Sequence, residues 1–309
     1  MNKKESLLQS YSDYLKMRNY SVSTYKAYMG TIRNFWSYCE VRVGDLDFRK
    51  EDAVQSYLSY RLSVEKRDFS TVNGDYSALQ WFYKYVLNRA WDVKKLIRPR
   101  KEKRLPRYLS PEQVSLLVKC ATSEKYRLLF LLYYATGVRL SEGRLLKWED
   151  VVFEEGLIHI RKGKGAKDRI VVLHNELSTL LKSYRHMLPV SQVFVFAGRE
   201  YRSPIAARSV QRAFIQSRRR AGLPEWVTAH VLRHSYATSA LKNQTDVLTL
   251  KTLLGHKKLA TTSRYLHLDT AHFQQTHSTL SHQCLSTILE QTQQALPWVK
   301  SSGNLDSLI

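Results

Sequence analysis

Residues 97–108 read IRPRKEKRLPRY, and no single globular core can run through them. Pro99 and Pro106 push the residues before them toward extended backbone, and apolar residues are too sparse to give the segment a buried face. Six of its seven charges are positive: Arg98, Arg100, Lys101, Lys103, Arg104 and Arg107 against Glu102. The segment is therefore expected to be an extended basic linker, either solvated or lying along something anionic. It separates residues 1–96 from residues 109–309, and each part is long enough to bury a core of its own.

The excess of positive charge extends beyond the linker. Across the chain 49 Lys and Arg face 27 Asp and Glu, a formal +22. Residues 1–96 carry 16 basic and 11 acidic groups, and residues 109–309 carry 27 and 15. Such a surface gains free energy on a polyanion by releasing its counterions. Double-stranded DNA or another nucleic acid fits that description. An anionic membrane fits less well, because no basic amphipathic helix with an aromatic face stands out.

With 43% hydrophobic and 25% charged residues the composition is that of a soluble globular protein. The apolar run LLFLLYYA at 128–135 is too short to span a bilayer. The N-terminal MNKKESLLQSYSDYL turns polar and acidic at once, without a signal-peptide apolar region. Cys39, Cys120 and Cys284 lie far apart with no CxxC spacing, which argues against zinc sites and a disulfide framework. A cytoplasmic protein without membrane attachment is expected, its thiols reduced and acting as small apolar residues.

Residues 1–96 read as helices. Leu7, Tyr11, Tyr14 and Leu15 share a helical spacing, and Val22, Tyr25, Tyr28, Ile32, Phe35 and Trp36 continue it after Ser21 or Ser23 as cap. Residues 50–62 and 70–89 supply two more helices. The aromatics are expected to form the core of a small bundle, with Lys and Arg outside and polar faces suited to a DNA groove.

After the linker, Ser110, Pro111, Glu112 and Gln113 form a helix start. Residues 124–136 are nearly all apolar and predict a buried helix ending at Thr136-Gly137. A helix from Ser141 to about Lys147 is expected next. GLIHIRKGKGAKDRIVVL then alternates as strand, turn and strand, with Gly163 and Gly165 in the turn. Residues 174–296 return to helix. The fold class is an α-rich two-domain protein: an N-terminal helical domain and an α+β domain with one small antiparallel sheet.

Four stretches carry groups suited to chemistry. RKGKGAKDR (161–169) lacks the spacing of a Walker loop and instead offers Lys164 at the tip of a β-turn. TAHVLRHSYATSAL (228–241) places His230 and His234 four apart, but Val231 stands where a zincin needs glutamate. Arg233, three residues after His230, shares its helical face. ATGVRLSEGRLL (135–146) sets Arg139 after a helix-ending glycine. LLGHKKLATTSRYLHL (253–268) gives His256 after Gly255, and Tyr265 nine residues on.

Together these are two guanidinium groups, a lysine, two histidines and a phenol, a set suited to phosphoryl transfer. Arginine matches the non-bridging oxygens of a phosphodiester transition state and keeps its charge at any working pH. No Asp/Glu cluster suited to Mg²⁺ stands near them, so no metal and no cofactor is expected.

In order and interval, ATGVRLSE, KGKGAKDR, HVLRHSYAT and LLGHKKLATTSRY resemble the motifs of the tyrosine recombinases, the phage integrase family, over nearly the whole chain. The resemblance implies a SAM-like core-binding domain (1–96), a basic linker (97–108), a catalytic domain (109–280) and a C-terminal tail (281–309). It implies that Arg139 and Arg233 clamp the scissile phosphate, that Lys164 protonates the leaving 5′-oxygen, and that His230 acts as general base. His256 would support the phosphate, Glu142 would support the first arginine, and Tyr265 would attack to give a 3′-phosphotyrosyl link. The linker residues Arg98, Arg100, Lys101, Lys103, Arg104 and Arg107 would contact DNA. Four protomers, as a homotetramer or a heterotetramer with a paralogue, would exchange strands through a Holliday junction.

Within the family, FVFAGREY, RAFIQSRRRAGL and RPRKEKRLP resemble integron integrases. However, only 60 residues separate Arg169 from His230, which leaves no room for their extra helical insertion. The compact size is closer to Xer-type or transposon-borne enzymes. Lys257 and Lys258 depart from the small or acidic residues frequent after the second histidine. In the tail, Leu285, Ile288, Leu289, Thr292 and Leu296 form a stripe at helical spacing, expected to dock on a neighbouring protomer or on its own domain. A nicking-closing enzyme like the type IB topoisomerases and a non-catalytic DNA-binding relative are the alternatives.

Overall fold

The computed structural model describes residues 3–42, 48–92, 96–99, 107–161, 168–199 and 201–255. The chain divides into two compact units, Met1–Arg104 and Leu105–Ile309.

Among its described residues the first unit holds four helices: α1 (Lys3–Met17), α2 (Val22–Arg42), α3 (Glu51–Ser63) and α4 (Phe69–Tyr85). Ser21 is the cap of α2, accepting from the Thr24 amide at 3.2 Å. Asp68 caps α4 through the Ser70 and Thr71 amides. The core is aromatic, with Phe82 meeting Tyr11 and Trp36 edge-on at 5.4 and 5.6 Å.

Three details differ from the sequence reading. Val22, the first residue of α2, is 72% exposed and contributes nothing to the core. α4 stops at Tyr85 instead of Arg89, because Asn88 takes a left-handed backbone (φ +51) that ends the helical path. Finally, Arg61 points inward, its Nε 3.0 Å from buried Asp75, which also accepts from Thr31 at 2.6 Å. Burying that pair is tolerable only because each partner is satisfied.

The second unit opens with α5 (Pro111–Lys119), held by a reciprocal capping box between Ser110 and Gln113. α6 (Glu124–Thr136) is buried at every position from Leu128 to Thr136 and packs against α5, α8 and α10. It ends at Gly137, whose φ of +61° is left-handed. A Cβ there would run into the Tyr236 ring. Gly137→Ala is thus expected to cost about 3 kcal/mol from backbone strain and overpacking, read as a lower urea midpoint with an unchanged slope.

α7 (Leu140–Arg144) is shorter than expected, because the chain turns out of the helix to bridge. Lys147 pairs with Phe194, Val195 N–H donates to the Leu146 carbonyl at 2.9 Å, and a 3-10 turn follows at Trp148–Asp150. The sheet is β1 (Val151–Val152), β2 (Leu157–Ile160) and β3 (Arg169–Val172), antiparallel in that order. Ile158 faces Val171, and both are buried, whereas Ile170 and Val172 are half exposed on the other face. The described part of the unit continues with α8 (Asn175–His186), α9 (Ala207–Arg220), α10 (Ala229–Lys242) and α11 (Val247–Leu254). α10 and α11 share a small core of Ala237, Ala240, Leu241, Leu250 and Leu254. Among the described residues no helix is long and apolar enough to cross a membrane.

Candidate active site

The last turn of any helix leaves carbonyls without intrahelical donors. At the end of α11, where Gly255 turns left-handed at φ +61°, three arginines from three elements supply them. Arg169, the first residue of β3, donates from Nε to the Leu253 carbonyl at 2.9 Å. Arg233 of α10 donates from Nη2 to Leu254 at 2.5 Å. Arg139, the N-cap of α7, donates from Nη2 to Gly255 at 3.0 Å. Arg233 also donates to the Gly137 carbonyl, so it joins the end of α6 to the end of α11. The partial negative charge of a helix C-terminus suits this cationic bracket.

Glu142 organises two of the three arginines. Its carboxylate accepts from Arg139 Nη1 at 2.7 Å and from the Arg139 amide at 2.8 Å. The opposite side receives Arg169 in a bidentate pair, Nη1 at 3.0 Å and Nη2 at 2.7 Å. One carboxylate against three guanidinium groups leaves the cluster positive and suited to an anion. Burial opposes ionisation of Glu142, but hydrogen bonds from Arg169 and the Arg139 amide, with the Arg169 charge, outweigh it and bring the carboxyl down to about 2.

That depression has a consequence for stability. The contribution of ionised Glu142 is complete above the ordinary carboxyl value of 4.5 and is lost as pH falls toward about 2. The advantage of the parent over Glu142→Gln is expected to shrink by up to about 3 kcal/mol across that window. Urea midpoints at pH 6, 4 and 3 check it, and an advantage that stays constant would contradict it.

Among the residues read from sequence, the structure brings Arg139, Arg233 and Glu142 together. His230 lies one turn before Arg233 on α10 and is exposed, its ring 6.3 Å from that of half-buried His234. Lys164, His256 and Tyr265 lie outside the described residues, as do Arg100, Lys101, Lys103, Arg104 and the tail 281–309. Of the remaining linker arginines, Arg98 bonds Asn73 at 2.6 Å and Ser77 at 3.2 Å and lies over the Tyr76 ring. Arg107 lies 5.4 Å over Trp226.

Two members of the cluster were missed from sequence. Arg169 closes the KGKGAKDR stretch but carried no signal of a partner 84 residues downstream. Tyr236 was not singled out; burial raises its phenol pKa, an effect opposed by the charges of Arg233 and Arg169. Among the described residues no three His, Cys, Asp or Glu side chains come together as a group able to hold a metal ion.

Residues 107–272 match the phage integrase family, and residues 7–93 match the phage integrase N-terminal SAM-like domain. Tyrosine recombinase XerA of Pyrococcus furiosus is 30% identical over 279 residues, covering 88% of this chain and 93% of that protein. The XerH site-specific recombinase, solved bound to palindromic difH substrate as a post-cleavage complex, is similar with a TM-score of 0.65 and 25% identity, covering 84% of this chain and 82% of that one. A lambda integrase dimer bound to a COC′ core site shares the fold at a TM-score of 0.66 and 21% identity, over 83% of this chain and 96% of that one. With both units matched in order and the arginines of its motifs gathered at one helix end, the chain belongs to the phage integrase family and is a tyrosine recombinase.

Proposed function

We propose that this chain cuts and rejoins duplex DNA at a specific site through a covalent phosphotyrosine, in integration, excision or resolution. The observation that carries the reading is the arginine bracket: Arg139 and Arg233, the two residues expected to clamp a phosphate, are held on the carbonyls of Gly255 and Leu254. That is the point from which the chain runs on to His256 and Tyr265.

In this reading the Tyr265 oxygen attacks the scissile phosphorus. A bond from phosphorus to the tyrosine oxygen forms as the bond to the 5′-oxygen breaks. His230 takes the phenolic proton, and Lys164 gives one to the departing 5′-oxygen. Arg139, Arg233 and His256 stabilise the charge on the non-bridging oxygens, where removal of one such donor costs about 10²–10³-fold. The phosphodiester energy is kept in the protein–DNA bond, so rejoining needs no nucleotide. The charges supplied by arginine, lysine and histidine make a metal or cofactor unnecessary for these steps.

The units divide the labour: residues 1–96 bind the core DNA, residues 97–108 track its backbone, residues 109–280 cut, and residues 281–309 join protomers. A homotetramer would exchange strands in pairs through a Holliday junction. A DNA substrate agrees with the cytoplasmic location expected from the sequence.

A nicked duplex carrying the element's own flanking DNA tests the proposal, since the short fragment beyond the cut diffuses away and traps the covalent species. Trapped protein–DNA adduct supports the reading, and strand exchange between two sites separates it from nicking and closing alone. Binding without adduct formation would identify a non-catalytic relative.

A further inference from the structure

Arg169 is the one guanidinium of the cluster without a role in the chemistry above. All three of its nitrogens are used: Nη1 and Nη2 hold both oxygens of Glu142, and Nε holds the Leu253 carbonyl. Its side chain is 8% exposed, held inside the cluster by these three bonds. A Cβ at Gly255 would lie 3.1 Å from Arg169 Cδ, so the glycine also gives this side chain room to pass. One residue therefore joins β3, α7 and α11. β3 follows Lys164 by five residues, α7 begins after Arg139, and α11 leads into His256 and Tyr265.

We propose that Arg169 is a positioning residue for the cleavage step, fixing Glu142, and through it Arg139, while tying the start of β3 to the end of α11. The inference rests on the recombinase reading and deepens it. Lysine cannot replace this function, since a single ammonium nitrogen lacks the planar fork that meets a carboxylate and a carbonyl on different elements together. Errors of an ångström between a clamp and a nucleophile cost about 10²-fold in rate, so a bracket that sets their separation acts on the chemical step rather than on binding. The charged and titratable groups around it are Glu142 and Arg139 of α7, with Tyr236 of α10 within electrostatic reach of Arg169 and Arg233.

The test uses the full chain and a duplex site recovered from a random-sequence library by rounds of binding to it. That site is then nicked to trap the adduct. Adduct formation at saturating protein is timed from pH 5 to pH 8, and half-saturation is read by gel shift. Arg169→Lys is expected to form adduct about 30-fold more slowly, with half-saturation within about threefold of the parent. Arg169→Gln is expected to lose more at pH 5 than at pH 8, because Glu142 stays buried with only Arg139 as its cationic partner and takes up a proton more readily. In a Glu142→Gln background, Arg169→Gln is expected to add less than its loss in the parent, since the carboxylate pair is already gone and only the tie to the Leu253 carbonyl remains to be lost.

Parental rates in Arg169→Lys would overturn the positioning role while leaving the recombinase reading intact. So would additive losses in the double variant, or a slowing matched by an equal loss of affinity and melting temperature. A parent that forms no adduct on its selected site would overturn both. Should Arg169→Gln fail to fold, Arg169→Lys carries the same decision.

Discussion

Tyr265→Phe is expected to bind the DNA site with parental half-saturation and to form no covalent adduct. The phenolic oxygen makes the new bond to phosphorus in the proposed step, so its removal leaves nothing to attack, and a fall of at least about 10⁴-fold follows. The chain has 19 tyrosines, which makes the choice among them a real test. Tyr236 is the described phenol beside the arginine cluster, but burial raises its pKa and its ring is packed against Gly137. Tyr236→Phe is accordingly expected to keep adduct formation within about tenfold of the parent. Adduct formation by Tyr265→Phe together with its loss in Tyr236→Phe would reassign the nucleophile.

Arg233→Ala is expected to lose activity and stability together. The residue is 5% exposed, and its two terminal nitrogens serve the carbonyls of Gly137 and Leu254. Removing it leaves two buried acceptors unpaired, at about 1–3 kcal/mol each, and frees the end of α11 from the end of α6. Adduct formation is expected to fall by at least about 10³-fold, since a clamp on the phosphate is lost along with the geometry around it. Arg233→Lys keeps the charge but cannot bridge both carbonyls, and is expected to recover less than a tenth of the parental rate, about the level of a point charge alone. Adduct formation timed beside urea unfolding separates the two effects. A variant destabilised to the same extent but cutting at the parental rate would remove Arg233 from the clamp.

The elements that carry Arg139, Glu142 and Arg233 were legible in the sequence, for reasons that differ by element. The buried helix α6 showed in its unbroken apolar run, and Gly137 marked its end. His230 and Arg233 fell on one helical face by spacing alone. The β2–β3 pair showed as alternation across a glycine-bearing turn. The bracket itself was invisible, because nothing local tells that Arg169, Arg233 and Arg139 meet three successive carbonyls at Leu253, Leu254 and Gly255. Long-range contacts of this kind are made by packing, and periodicity carries no trace of them. The same limit hid Arg61, which reads as an outer-face charge until Asp75 and Thr31 are seen beneath it. The early end of α7 was missed for a related reason, since Lys147 is drawn into an extended bridge with Phe194 by chain 47 residues further on.

The central claim is a covalent bond between Tyr265 and a DNA 3′-phosphate. Its most direct test is to isolate the adduct trapped on a nicked site, digest protein and DNA, and locate the attached nucleotide by mass spectrometry. The account predicts a nucleotide on the peptide that contains Tyr265, joined through its 3′-phosphate, with a free 5′-hydroxyl on the released strand. A nucleotide on any other residue, or a linkage through a 5′-phosphate, would contradict it.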